Sequence, residues 1–231
     1  MNENIATETL LPRVVKLEQS EVSGELVPFQ LPMNNSINYY AKLSTGLMEN
    51  YETSRPFQSG VFDLSLNIEY EKEQVLFRTG LGIQATSNAD LVVSERAKVY
   101  GFGLTTHQNN LSYQSLYDIY IPVELGYSLN NTSFGFGMQM NYMLTTTMNY
   151  QSLENNIIVD EAKLKGFQEG LNALTAQGYI WLEQKLNDRF SAGVKVGTNL
   201  SSRIKEGRYF NESATTNPLY GQITLRYNLN K

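Results

Sequence analysis

Residues 219 to 229 read LYGQITLRYNL and alternate without an error. Leu219, Gly221, Ile223, Leu225, Tyr227 and Leu229 share one face, while Tyr220, Gln222, Thr224, Arg226 and Asn228 share the other. Period two marks a strand whose two faces meet different surroundings. A long amphipathic strand with an aromatic near its end, placed at the C-terminal end of a chain, suits a sheet that closes onto its first strand and leaves no open edge. The closing contacts are expected from Ile223, Leu225, Tyr227 and Leu229, set beside a strand at 37 to 49.

Seven earlier segments repeat the pattern, at about 37–49, 59–70, 75–87, 111–129, 133–148, 170–186 and 189–201. Phe62, Leu64, Leu66, Ile68 and Tyr70 oppose Asp63, Ser65, Asn67 and Glu69, and Phe134, Phe136, Met138 and Met140 oppose Gly135, Gly137 and Gln139. The links alternate in length. EKEQ, NNT and NDR are hairpin turns, whereas 50–58, 88–110, 149–169 and 202–217 are long connections. Short turns on one rim and long loops on the other are the pattern of outer-membrane barrels.

Charge decides which face is inside. Lys42, Asp63, Glu69, Arg78, Asp118, Glu124, Glu183, Lys195 and Arg226 all fall on the mixed face, and the strand cores of the apolar face carry none. Gly80, Gly82, Gly135, Gly137, Gly193 and Gly197 share that mixed face with Tyr120, Tyr179, Trp181 and Tyr220. Glycine weakens a solvent-facing strand, but alternating large and small residues fill a narrow eight-stranded interior. A charge on a lipid-facing wall costs about 2–4 kcal/mol near mid-depth, which accounts for their absence from the apolar face. The expected fold is therefore all-β, an eight-stranded antiparallel up-and-down transmembrane β-barrel with an N-terminal extended tail. Residues 1–34 form the periplasmic tail and 35–231 the barrel. The alternative is a soluble lipocalin-like barrel with the faces exchanged. The nine lumen charges are expected to pair as a structural plug, and Pro122 in mid-strand predicts a bulge or an imperfect ladder.

Composition closes off other classes. The chain has no cysteine, a net charge of -5 with scattered Lys and Arg, and no apolar run near 18 residues. Disulfide scaffolds, thiolate metal sites, nucleic-acid partners and transmembrane helices are not expected. No cofactor is expected either. MNENIATETL lacks a basic and apolar leader, so an exported protein is expected to be represented here by a mature or trimmed chain. The tail has prolines and mixed charge, and Leu10, Leu11, Val14, Val15 and Leu17 could make a short amphipathic helix. His107 is the only histidine and lies near Ser112 and Ser115, which raises a lipid-modifying chemistry against the plainer reading of a solvated polar residue. GFGL at 101–104 lacks the strand and helix a phosphate cradle needs, and the acids Glu154, Asp160, Glu161 and Glu169 lack calcium-loop spacing. A short helix is expected within 160–169.

YDIYIPVELGYSL at 117–129, FGFGMQMNYML at 134–144, GVKVGTNLSSRIKEG at 193–207 and the terminal YGQITLRYNL resemble the PorT-like outer-membrane β-barrel family common in Bacteroidota. In strand number the chain is also similar to small OmpA and OmpX-type membrane domains, whose peptidoglycan-anchoring role is not expected to carry over. The resemblance covers about 37–231 and implies fold and an outer-membrane location, not a reaction. The expected role is a non-enzymatic anchor, scaffold or subunit of an envelope complex. Its partners would be outer-membrane lipid and an envelope protein reached through residues 1–34 or the long loops. A lipid-modifying enzyme is the alternative.

Overall fold

The structure, a computed structural model, describes residues 35–51, 57–100, 104–205, 207, 210–211 and 217–230. The expected tail at 1–34 and most of GFGL lie outside the described residues. Ten strands form one antiparallel sheet: β1 Asn35–Met48, β2 Ser59–Lys72, β3 Val75–Tyr100, β4 Leu104–Leu129, β5 Thr132–Glu154, β6 Ile157–Lys165, β7 Leu174–Lys185, β8 Phe190–Asn199, β9 Phe210–Asn211 and β10 Leu219–Asn228. No described residue is helical.

Eight of these strands pair in a cycle. The order β1-β2-β3-β4-β5-β7-β8-β10 returns to β1, where Leu43 faces Leu225, Thr45 faces Ile223 and Ala41 faces Tyr227. The Leu229 amide extends this seam by donating to the Tyr39 carbonyl at 2.8 Å. Tight links sit on one rim. Glu73 and Asn130 occupy the left-handed region in the turns after β2 and β4, a conformation asparagine tolerates well.

Pro122 produces no bulge. It stands in register opposite Gln139, and on its other side the β3 ladder lapses between Thr79–Val123 and Gly82–Tyr120 without a shift. The proline's missing amide is absorbed as a gap in pairing.

Burial in the ring is inverted relative to a water-soluble core. On β2 the buried side chains include Asp63, Ser65, Asn67 and Glu69, and on β10 Gln222, Thr224 and Arg226. Facing outward are Leu64, Leu66 and Ile68 on β2, and Ile223, Leu225 and Tyr227 on β10, the last three between 37 and 68 % exposed. Every ring strand repeats this arrangement. Monomeric soluble proteins seldom expose an apolar patch above roughly 300–600 Å².

The expected connections at 88–110 and 149–169 are corrected by the structure, because β3, β4 and β5 continue beyond the ring and β6 joins them. The expected helix within 160–169 is largely strand β6, whose local helix propensity yields to pairing with β5. The phase of the alternation changes where these strands leave the ring. Asn88, Ala89 and Asp90 stand against Gln114 alone, and Gln114 and Leu144 are each skipped in the β4–β5 ladder. Asn88 and Asp90 both have positive φ. A one-residue slip exchanges the two faces of a strand. Below it Leu76, Arg78, Gln84 and Thr86 are buried; above it Ala89, Leu91 and Val93 take the inner side with Leu111, Tyr113 and Met148. Leu171 and Ile204, joined by an isolated bridge, complete this apolar cluster.

Candidate functional site

The nine sequence-predicted charges are all buried in the ring, and the structure sorts them into three groups. The largest is a hexad drawn from six strands. Arg78 lies 2.6 Å from Glu69, 3.5 Å from Glu124 and 2.9 Å from Glu183. Arg226 lies 2.6 Å from Glu69 and 3.8 Å from Glu183, and Lys42 lies 3.4 Å from Glu124 and 3.3 Å from Glu183. Three cations and three carboxylates therefore form one neutral, connected set.

Cross-strand position explains the assembly. Glu69 and Arg78 are direct partners across the β2–β3 ladder, as are Arg78 and Glu124 across β3–β4. Lys42, Arg226 and Glu183 arrive from β1, β10 and β7 across the interior. Aromatic faces shield the guanidinium groups: Arg78 lies over Trp181 at 4.1 Å and Arg226 over Tyr40 at 3.9 Å. Such stacking favours a desolvated cation.

The second group is a pair, Lys195 and Asp63, at 2.9 Å. Gln222 donates to the same carboxylate oxygen at 2.8 Å. The third group contains a residue the sequence reading missed. Asp118 receives two bonds from Arg203, Nη1 to Oδ1 at 3.0 Å and Nη2 to Oδ2 at 2.7 Å. Arg203 lies in the connection after β8, not in a strand, and brings that connection down onto the interior. Burial opposes its charge, but Asp118, with Tyr51 beside it, more than offsets this and holds its pKa above the ordinary arginine value. One signal in the sequence pointed to it: four basic residues were matched with five acids, so one acid lacked a base.

Packing leaves little room between these groups. A Cβ at Gly82 would sit 2.5 Å from Tyr120 Cζ, and one at Gly137 would sit 2.6 Å from Tyr179 Cζ, so glycine admits the rings. Tyr179 in turn donates to Glu124 at 2.9 Å. Among Lys42, Asn67, Tyr120, Glu124 and Lys195 the remaining cavity is about 10 Å³, at or below the space one water needs. Toward the short-turn rim the interior opens into a polar vestibule of about 400 Å³, with Arg78, Arg226, Glu69 and Glu183 at its floor and Asn130, Asn131 and Asn228 at its mouth.

Each hexad carboxylate is engaged by a cation within 4 Å. His107 lies on β4 outside the ring, opposite Ala97 and Glu154. Ser112 and Ser115 are further along the same extended strand, roughly 17 and 26 Å away at about 3.3 Å per residue, so the structure does not bring them to it. Among the described residues no group of three His, Asp or Glu is placed to hold a metal ion.

The closure residues Ile223, Leu225, Tyr227 and Leu229 lie on the outer face. Tyr227 packs against Phe190 at 5.1 Å and Tyr127 against Phe134 at 6.2 Å, all close to the short-turn rim. Tyr70 and Phe77 face each other at the same level. No family model matches the chain, and no curated protein matches it.

Proposed function

We propose that this chain is an integral outer-membrane β-barrel without enzymatic activity, an anchor, scaffold or subunit of an envelope complex whose lumen is plugged by its own side chains. The observation that carries the reading is the inverted burial, charged inside and apolar outside, over all eight ring strands. On β3 the outward face runs from Val75 to Ala85 before the phase changes. Ten residue steps tilted near 40° span roughly 26 Å, close to the apolar band of about 25 Å that barrels present to lipid. The aromatic pairs near the short-turn rim suit an interfacial girdle.

The phase change supports the same reading. Just above it Ala89, Leu91, Val93, Leu111, Tyr113 and Met148 turn inward, as strands do when water replaces hydrocarbon outside them, while Val99, Tyr100 and Ile157 to Val159 stay exposed. A soluble lipocalin-like barrel would need an apolar interior, and the ring interior here is charged. A lipid-modifying site would need a nucleophile near His107, and Ser112 and Ser115 do not supply one. The PorT-like resemblance of the strand pattern points to the same class. In this reading the short turns are periplasmic and the β3–β6 extension is extracellular.

Trypsin treatment of intact cells tests location and orientation together. Cleavage is expected at Lys98, Lys163 or Lys165 in the extension, with Lys185 and Arg189 at the short-turn rim protected, and the protein should require detergent for extraction. Recovery in the aqueous fraction would overturn the membrane assignment, and cleavage confined to Lys185 or Arg189 would invert the topology. His107→Ala should leave the composition of lipid A unchanged.

A further inference from the structure

β6 is the one long strand that lies wholly outside the ring cycle, and among the described residues it pairs with β5 alone. Ala162 is half-buried and every other residue from Ile157 to Lys165 is exposed. A nine-residue strand whose second edge is unpaired among the described residues is, in water, a template for another strand. Lipid does not cover it if, as proposed above, the membrane ends at the phase change.

The charge order along β6 selects a partner. From Asp160 the sequence is DEAKLK, with acids before Ala162 and lysines after it. Antiparallel pairing with a second β6 about a two-fold axis normal to the sheet matches residues whose numbers sum to an even constant. Centred on Ala162, Glu161 faces Lys163 of the second copy twice and Asp160 faces Leu164, all within the regular part of β6 that follows the bulge at Val159. Centring on Asp160 or Glu161 opposes two acids, centring on Lys163 opposes two lysines, and centring on Leu164 opposes Lys163 to Lys165. Of these registers, only the Ala162 one joins opposite charges and opposes no like ones.

We propose that β6 is a homotypic docking edge that pairs antiparallel with β6 of a second copy of this chain in the Ala162 register. The geometry has a directional consequence. β6 is hydrogen-bonded to β5, which continues into the ring wall, so a two-fold that reverses β6 reverses the whole molecule. The paired copies meet head to head, joining two apposed membranes and not neighbours in one membrane. A five-residue ladder, Asp160 to Leu164, is small beside a standard interface, so each contact is weak and many across apposed surfaces act together.

The full chain in detergent should sediment as a monomer–dimer equilibrium that moves toward dimer as protein concentration is raised, as a small, weak interface does. Proteoliposomes carrying it should cluster, as read by light scattering. Glu161→Lys and Lys163→Glu should each weaken dimerisation by about tenfold or more, since both turn the paired attractions into repulsions. Mixing the two variants should restore a heterodimer. A wild type that stays monomeric, single variants that dimerise like wild type, or a mixture that fails to associate would each overturn the proposal. Failure of the membrane assignment shows separately, as a chain that is soluble and dimeric without detergent.

Discussion

Arginine placed along the outer face of β10 should destabilise the protein according to depth. Leu219, Ile223, Leu225 and Leu229 lie on that face, between 44 and 68 % exposed. Ile223 stands between Val194 and Thr45, and Leu225 between Ala192 and Leu43, so neither has a carboxylate directly opposite it. If the face meets a hydrocarbon layer roughly 25 Å thick, Ile223 and Leu225 lie near its middle and the other two near its edges. Ile223→Arg and Leu225→Arg should then cost about 2–4 kcal/mol each, and Leu219→Arg and Leu229→Arg about 0–1 kcal/mol. The central pair would shift the folding equilibrium roughly 30- to 700-fold. Reversible urea unfolding in lipid vesicles measures this, with the single tryptophan, Trp181, as the probe, since it is buried against Arg78. In water all four positions would tolerate arginine within about 0.5 kcal/mol, as exposed sites do. A flat profile would therefore refute the assignment of this face to lipid.

Other consequences are equally concrete. Arg203→Met should destabilise by about 3–5 kcal/mol, because it leaves the Asp118 carboxylate buried without a partner, and adding Asp118→Asn should recover much of the loss. Urea unfolding of the single and double variants measures both. Gly82→Val should cost about 1–3 kcal/mol through collision with the Tyr120 ring, and Tyr120→Leu in the same chain should relieve part of it. Planar-bilayer recordings should show no stable conductance, given the interior cavity of about 10 Å³. Burial holds the Tyr51 phenol above its ordinary value of 10.0. The unfolded chain therefore loses that proton first, and stability present below about pH 10 declines as pH rises further. Tyr51→Phe should flatten the alkaline limb of a stability–pH profile.

The ring was legible because one physical rule governs each of its strands. Ile223 and Arg226 are three residues apart, and period two alone puts them on opposite faces. The extension was hidden because Asn88 and Asp90 are turn-forming residues, and the alternation that resumes at Leu91 does so out of phase. Lys and Glu in DEAKLK favour helix locally, and only the facing β5 strand makes that segment extended. Arg203 sits in a connection without period, so its contact with Asp118 depends on tertiary placement. The hexad was legible as a set of charges but not as a geometry. Which carboxylate each cation meets depends on reach across the interior between strands such as β1 and β7.

β3 continues hydrogen-bonded to β4 from the phase change to Tyr100, 12 residue steps beyond Asn88, or roughly 40 Å at about 3.3 Å per step. The hairpin is thus a cantilever built from the wall's own strands, not a tethered loop. Force applied at its tip passes as torque into the wall, and its standoff from the wall is set by strand length and not by chain entropy. Adding residues in pairs on both strands above Asp90 would raise the tip while preserving which side faces inward, so reach could be retuned without altering the ring below.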